Sequence, residues 1–430
     1  MNKRFLWLFF MALAIGLLIW SLSLWIGGCS STLTDVATTI TPTSTSSSSS
    51  ATHPITTSTS STAPTTTGTT TSTSTTSTSL FSASPWSPLG GGVSSTVISS
   101  ALDNSGNLFI CGAFITANNG GLSSITVNRA ARWNGSQWQA LGSGLGNIAY
   151  CLAYDTSSNL LYCGGNFLTA ETSQVNYIAK WNGSTWSALG EGMSNLILTL
   201  ALDPAGNLYA GGVFITAEGK SARRIAKWDG TSWEAVGIGF TSAVRALAYD
   251  GNHDLLYAGG SFLSAEGHTV NYIAKWDGIN WSALGSGTNA MVRALAYDQT
   301  RNLLYVGGLF SIAGGFPVNF IAKWDGSSWS SLGPGLNNNV YALALDQSGN
   351  LYAGGTFIKT GDGSLTVNRV AKWNGTNWTS LEGGGITWPS SEVDTLSYND
   401  ATNTLYVGGL FAIVGETPVP AQFTAKWQKP

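Results

Sequence analysis

Short alternating runs of hydrophobic and polar residues follow one another along residues 86–430, and the same four runs return in the same order. In one copy they occupy residues 292–298, 303–310, 319–324 and 329–332. Alternation over four to eight residues is typical of a half-buried β-strand. Each copy therefore predicts four short strands.

Turn residues separate these runs. Asp-Gly or Asn-Gly plus two further residues joins the third run to the fourth, which is typical of a tight hairpin. A short segment such as 203–207 joins the first run to the second. Strands connected in this way pair in order, so each copy predicts a four-stranded antiparallel meander.

The whole unit recurs with a period of about 48 residues, which indicates a solenoid, a propeller or another array. The leading tryptophans of its seven copies are Trp86, Trp138, Trp186, Trp233, Trp281, Trp329 and Trp378. Alanine and glycine gather in the first two runs, whereas tryptophan marks the last two. A wedge-shaped blade needs thin residues near its axis and bulky ones at its rim, so the pattern favours a propeller.

The two ends of the repeat region complement each other. Residues 423–427 form a third run that no fourth run follows, and residues 86–89 form a fourth run that no blade precedes. Pairing these two runs would complete the last blade. We therefore predict that residues 85–430 form an all-β, seven-bladed β-propeller of four-stranded antiparallel blades, closed by pairing of the N- and C-terminal strands.

Two motifs in these copies resemble known propeller families. A double glycine closes the second run, as in Gly211-Gly212, and Trp-Asp/Asn-Gly-x-x-Trp-x-x-Leu joins the third run to the fourth. Both resemble kelch and galactose-oxidase-like propellers. The longer phrase Ile-Ala-Lys-Trp-Asp/Asn-Gly is similar to secreted repeat propellers of bacterial surface proteins and of fungal cortical markers. The resemblance implies a propeller, but such propellers serve as binding platforms, structural parts and occasionally enzymes.

The N-terminus resembles a targeting signal. Lys3 and Arg4 precede an uncharged, mostly apolar run over residues 5–28, and Ile26-Gly-Gly-Cys29 resembles a bacterial lipobox. The resemblance implies that residues 1–29 are a lipoprotein-type signal and that Cys29 carries the lipid that anchors the chain to the membrane. An uncleaved transmembrane anchor and plain secretion are the alternatives. All three predict an extracytoplasmic location.

Composition limits the class of partner. Residues 30–84 are almost entirely Ser and Thr, so they cannot bury enough apolar surface to fold and should form a disordered linker. The formal net charge of −3, with 10% charged residues, provides no basic field for nucleic acid. We expect a monomer that binds no nucleic acid.

The sequence offers little catalytic chemistry. His53, His253 and His268 are the three histidines, and the last two fall in loops at opposite ends of the predicted strands. No Ser-His-Asp constellation, His-x-x-x-His pair or Cys-His metal spacing occurs. The histidine ligands and cysteine-linked tyrosine of galactose oxidase find no matching set. We expect no enzymatic activity, cofactor or metal.

Charged residues recur at two fixed positions. An aspartate ends most first runs: Asp103, Asp155, Asp203, Asp250, Asp298 and Asp346. We interpret it as a turn cap rather than a calcium ligand, since the bidentate Glu of an EF-hand is missing. A basic residue precedes the second tryptophan: Arg132, Lys180, Lys227, Lys275, Lys323, Lys372 and Lys426. This ring could hold an anionic polymer, but we favour stems that cover the tryptophans.

Three cysteines lie in the repeat region. Counted from a turn centred near Ser157, Cys151 and Cys163 stand opposite each other on adjacent strands, while Cys111 has no evident partner. A disulfide between Cys151 and Cys163 is one interpretation for an extracytoplasmic chain. Two small buried thiols are the other, and the commoner one.

One position differs from copy to copy. The second residue of the first strand is Ile98, Tyr150, Leu198, Arg245, Arg293, Tyr341 or Asp394, and the enlarged loop 382–392 adds Trp388. In a propeller this position lies near the mouth of the central channel. Aromatic residues and arginine are typical binding anchors. We predict that Tyr150, Arg245, Arg293, Tyr341, Trp388 and Asp394 form a binding face for a protein or glycan. Alternatively, they fill the channel of a structural envelope component.

Overall fold

The computed structural model describes residues 84–387 and 389–429. All regular elements in this part of the chain are β-strands, and none of its segments is a helix long and apolar enough to cross a membrane. The predictions for residues 1–83, lipidation of Cys29 among them, and for Trp388 lie outside the described residues.

Four strands build each blade, and seven four-stranded antiparallel sheets occur within the described ranges. We number the blades in chain order from residue 97. The first strands are Val97–Leu102, Ala149–Asp155, Ile197–Leu202, Val244–Asp250, Val292–Asp298, Val340–Leu345 and Glu392–Asn399. The second strands are Leu108–Gly112, Leu160–Gly165, Leu208–Gly212, Leu255–Gly260, Leu303–Gly308, Leu351–Gly355 and Thr404–Leu410. The predicted strand order within each blade is confirmed.

The outer half of each blade carries the tryptophans. The third strands are Ala130–Trp133, Ile178–Trp181, Ile225–Trp228, Ile273–Trp276, Ile321–Trp324, Val370–Trp373 and Thr424–Gln428. The fourth strands are Trp138–Ala140, Trp186–Ala188, Trp233–Ala235, Trp281–Ala283, Trp329–Ser331, Trp378–Ser380 and, for blade 7, Trp86–Pro88. In six blades the two tryptophans pair across these strands, with ring centroids 5.2–5.5 Å apart.

Short accessory strands cover one end of the blades. They lie mainly between the second and third blade strands as hairpins: Thr169–Ala170 with Ser173–Gln174, Thr216–Ala217 with Lys220–Ser221, Ser264–Ala265 with His268–Thr269, Ile312–Ala313 with Phe316–Pro317, and Ile413–Val414 with Val419–Pro420. Blade 1 instead has a three-stranded sheet of Gly92–Val93, Thr116–Asn118 and Ser124–Thr126. We call this end of the propeller the loop face.

The chain closes into a ring. Trp86 pairs with Trp427 and Pro88 with Ala425, so the N-terminal strand completes blade 7 as predicted. The first strands of neighbouring blades contact one another in an unbroken circle, which places them nearest the axis. Where blade 1 meets blade 7, the Ser100 hydroxyl lies 2.8 Å from that of Thr395 and 2.7 Å from that of Ser397.

The core lies between the blades, with one cluster of buried apolar residues at each interface. Fourth-strand tryptophans also link neighbouring blades through hydrogen bonds. The indole Nε1–H of Trp138 donates to the carbonyl oxygen of Leu89 at 2.9 Å, and that of Trp233 donates to Leu189 at 3.0 Å. A buried indole needs such an acceptor, so the tryptophan column serves both packing and polar satisfaction.

The recurring charged residues have structural contacts. Asp103 Oδ1 accepts hydrogen bonds from the backbone N–H groups of Ser105 and Asn107 at 2.9 and 2.8 Å, as expected of a turn cap. Some members of the basic ring lie over aromatic side chains of the adjacent second strand, as Arg132 does over Phe109 and Lys372 over Tyr352. Lys227 stands opposite Tyr209 on the neighbouring strand, with Nζ 5.7 Å from the ring centroid. The partner is this tyrosine because cross-strand pairing decides which side chains meet.

Candidate functional site at the channel mouth

Each first strand carries a β-bulge near its beginning. In blade 4, Val244 pairs with Gly260 and Ala246 with Gly259, which leaves Arg245 between two paired residues. The same shift leaves one residue unpaired in every blade: Ile98, Tyr150, Leu198, Arg245, Arg293, Tyr341 and Asp394. These residues coincide with the variable position of the sequence, and we call them the bulge ring. A bulge frees a side chain from the alternation of its strand and redirects it.

The bulge ring lies on the strands nearest the axis, and all of its members are half-buried. Its composition divides it into two arcs. Blades 1 to 3 contribute an isoleucine, a tyrosine and a leucine, whereas blades 4 to 7 contribute Arg245, Arg293, Tyr341 and Asp394. We call the second set the polar arc. The sequence-predicted site residues outside Trp388 therefore come to one rim.

Contacts hold the side chains of the polar arc, and one of them joins two members of the arc across a blade boundary. The guanidinium carbon of Arg293 lies 4.8 Å from the ring centroid of Tyr341, a cation–π geometry. Arg245 Nε donates to the Ser261 hydroxyl at 3.3 Å. Asn339 Nδ2 donates to the Tyr341 hydroxyl at 3.2 Å. These contacts orient the two arginines and the tyrosine.

Burial perturbs the charges of the polar arc. It lowers the pKa of Arg245 to about 10, and the neighbouring positive charge of Arg293 acts in the same direction. Burial raises the pKa of Asp394 to about 7, Glu392 raises it further, and Arg293 opposes both effects. The positive charge of Arg293 thus lowers the pKa of both Arg245 and Asp394. The rim contains a carboxyl group, that of Asp394, whose pKa lies near neutral pH.

Trp388 is outside the described residues, but the loop on either side of it is anchored. Arg369 Nη1 donates to the carbonyl oxygen of Ile386 at 3.0 Å, and its Nε donates to that of Ser391 at 2.8 Å. Arg369 therefore holds this loop on both sides of residue 388.

The exposed aliphatic side chains of the loop face are a feature that sequence reasoning missed. They follow the buried phenylalanine after the second strand in five blades: Ile115, Leu168, Ile215, Leu263 and Ile358, between 43% and 56% exposed. The preceding phenylalanines are fully buried, so alternation turns the next residue outward. The sequence signal that could have revealed them is the recurrence of an aliphatic residue directly after this phenylalanine. We call these five residues the aliphatic crown.

Open grooves separate neighbouring blades on the same face. Cavities of about 430, 450 and 530 Å³ lie between blades 1 and 2, 2 and 3, and 3 and 4. Ile115 lines the first groove and Ile215 the third. Asn128 Nδ2 and Asn176 Nδ2 each donate to a carbonyl oxygen of the following loop at 2.8 Å, which fixes the walls of the first two grooves.

Two histidines lie at different ends of the strands. His253 Nδ1 lies 2.8 Å from Asp250 Oδ2 in a turn after a first strand, whereas His268 belongs to a hairpin of the loop face. Among the residues that the structure describes, no three His, Cys, Asp or Glu side chains are grouped as a metal site.

The predicted opposition of Cys151 and Cys163 is wrong. Cys151 pairs with Gly164, and Cys163 pairs with Leu152. The turn spans residues 156–159, one residue longer than the count from Ser157 assumed, and a shift of one residue turns a side chain to the other face of the sheet. Cys151 packs in the core between blades 2 and 3, and Cys163 in the core between blades 1 and 2, both as free thiols.

Comparison with known proteins identifies the fold alone. No protein-family model matches the chain, and no curated protein matches it either. Among solved structures, it is similar to the extracellular domain of the hybrid two-component system BT3049 from B. thetaiotaomicron, with TM-score 0.51 and 11% identity over 80% of this chain and 42% of that one. It also matches the WD40 β-propeller domain of Doa1, with TM-score 0.46 and 14% identity over 78% and 93% of the two chains.

Proposed function

We propose that this chain is an extracytoplasmic, membrane-anchored β-propeller that binds a protein or glycan partner through its loop face, without catalysis. One observation carries the proposal. The blades repeat one another closely, yet the bulge residue nearest the channel mouth changes from blade to blade. A position that only served the scaffold would repeat as the tryptophans do.

The chemistry of the polar arc supports recognition. Arginine and tyrosine are enriched among residues that dominate binding energy, and such residues contribute most when they are held in place before the partner arrives. Arg293 and Tyr341 already contact each other, and Asn339 holds the tyrosine hydroxyl. An incoming group would therefore meet an ordered rim.

The surroundings of the rim favour a partner of macromolecular size. The aliphatic crown and the grooves between blades lie on the same face as the bulge ring because the second strands end where the first strands begin. Exposed apolar side chains next to polar anchors are typical of interaction surfaces. A protein or oligosaccharide could span several blades there.

The proposal also includes a lipid anchor at Cys29 and a kelch-like type of repeat. The lipobox-like Ile26-Gly-Gly-Cys29 supports lipidation of Cys29, and the double glycines with the Trp-Asp/Asn-Gly cadence support a kelch-like repeat. Globomycin, which blocks lipoprotein processing, should leave the precursor uncleaved. Processing that continues in its presence would favour plain secretion instead.

Binding can be tested with the full chain on a glycan array and in pull-downs from surface extracts. Arg245→Ala, Arg293→Ala and Trp388→Ala should each weaken binding of the captured ligand roughly tenfold or more. The matched control is Lys275→Ala, which removes a positive charge from the third strand of the same blade as Arg245. Binding that survives all three rim substitutions, or no specific binding at all, would favour the structural envelope component.

A further inference from the structure

The interface between blades 1 and 2 contains two cysteines that sequence reasoning did not connect. Cys111 lies on the second strand of blade 1, and Cys163 lies on the second strand of blade 2. Both are fully buried, and both belong to the same apolar cluster. Cys151 belongs to the cluster on the other side of blade 2.

The packing of other blades shows where Cys111 points. It takes the place of the first glycine of the pair, and that glycine faces the next blade. A Cβ atom on Gly259 would lie 2.4 Å from Val292 Cγ1, and one on Gly211 would lie 2.6 Å from Val244 Cγ1. No side chain fits against a β-branched residue at that distance.

Blade 2 departs from the repeat where it faces Cys111. The residue just before the bulge residue is branched in the other blades: Val97, Ile197, Val244, Val292, Val340 and Val393. In blade 2 it is Ala149, which is fully buried in the same cluster as Cys111. The smaller side chain leaves the volume that a sulfur atom occupies. Cys111 and Ala149 therefore form a compensating pair across the interface.

Cys163 reaches this space from the opposite side. The equivalent positions are aliphatic in the other blades: Ile110, Ala210, Ala258, Val306, Ala353 and Val407. Cys163 and Cys111 pack in the same buried cluster, and burial together with the neighbouring Cys111 sulfur raises the pKa of the Cys163 thiol. Of the interfaces between described blades, this one brings two sulfur-bearing strand residues together.

We propose that Cys111 and Cys163 form a disulfide bond that links blade 1 to blade 2 when the chain folds in an oxidising compartment. The two thiols lose two protons and two electrons, and an S–S bond forms. The acceptor is the disulfide of a small-molecule or protein thiol oxidant, which is reduced to two thiols through a mixed-disulfide intermediate. Because both sulfurs are buried in the finished ring, the exchange occurs before the two blades close on each other.

The bond would join the first two complete blades of the ring. Its effect is to limit the separation of those blades in the unfolded chain, which raises the thermal midpoint. The proposal does not depend on the identity of any partner, so failure of the binding experiments leaves it intact.

The test uses the full chain with Cys29→Ser, so that three cysteines remain to be counted. The protein is refolded with a mixture of oxidised and reduced glutathione, denatured, alkylated and mapped by mass spectrometry without reduction. We expect a peptide pair linked through Cys111 and Cys163, and alkylation of Cys151. Reductant should lower the thermal midpoint of this protein by several degrees.

Controls separate the bond from a general effect of substitution. Cys151→Ser should keep both the linked peptides and the response to reductant, whereas Cys111→Ser should lose both. Mapping of the protein with all three cysteines decides the matter even if a serine variant fails to fold. Complete alkylation of all three cysteines after oxidative refolding, or a link that involves Cys151, would overturn the proposal.

Discussion

Asp394 makes the stability of this propeller depend on pH in an unusual direction. Burial and Glu392 raise the pKa of its carboxyl group from 3.8 to about 7, against the opposing effect of Arg293. The folded chain therefore holds this proton more tightly than the unfolded chain does. Between pH 3.8 and about 7 the unfolded chain binds fewer protons, so the contribution of Asp394 to the free energy of unfolding falls as the pH rises.

The magnitude follows from the width of that window. Each pH unit within it changes the free energy of unfolding by up to about 1.4 kcal/mol, so full desolvation would cost about 4 kcal/mol above pH 7. Asp394 keeps partial contact with solvent, and solvent screening reduces the cost to about 2–4 kcal/mol. The penalty is absent well below pH 3.8.

The perturbation is Asp394→Asn, which keeps the shape and removes the charge. We expect the stability of this variant relative to the natural chain to increase by about 2–3 kcal/mol from pH 4.5 to pH 8. Urea unfolding followed by tryptophan fluorescence at several pH values measures the difference. Glu234→Gln, at an exposed position of a fourth strand, is the control and should show no such trend. A parallel pH dependence in Asp394→Asn and the natural chain would refute the reasoning.

Two further predictions concern the tryptophan hydrogen bonds between blades and the aliphatic crown. Trp233→Phe removes the indole donor to Leu189 and should cost about 1–3 kcal/mol more in urea unfolding than Trp86→Phe, because Trp86 Nε1 has no hydrogen-bond partner among the described residues. Equal losses would show that volume alone matters. Ile215→Ser and Leu263→Ser change side chains that are 56% and 53% exposed, so stability should stay within about 0.5 kcal/mol while capture of the partner weakens. Unchanged capture would remove the crown from the interaction surface.

Much of the candidate site could be located from the sequence. Comparison of copies within one chain separated Arg245, Arg293, Tyr341 and Asp394 from the scaffold because each repeat experiences nearly the same surroundings. The reason that these side chains are free to vary was not visible. The β-bulge that leaves them unpaired depends on how two strands align, and no residue of the first strand by itself predicts the bulge. The raised pKa of Asp394 likewise needs the positions of Glu392 and Arg293.

Strands, their order, the number of blades and the closure through Trp86 were determined by the sequence alone, since alternation and turn residues are local and the repeat multiplies their signal. Only the tertiary structure decided which side chains face each other. One extra turn residue sent Cys151 and Cys163 to opposite faces of their sheet, and cross-strand pairing put Lys227 on Tyr209. Packing of blade 1 against blade 2 brought Cys111 to Cys163. Such contacts depend on register and on surfaces far apart in the chain, which no local pattern encodes.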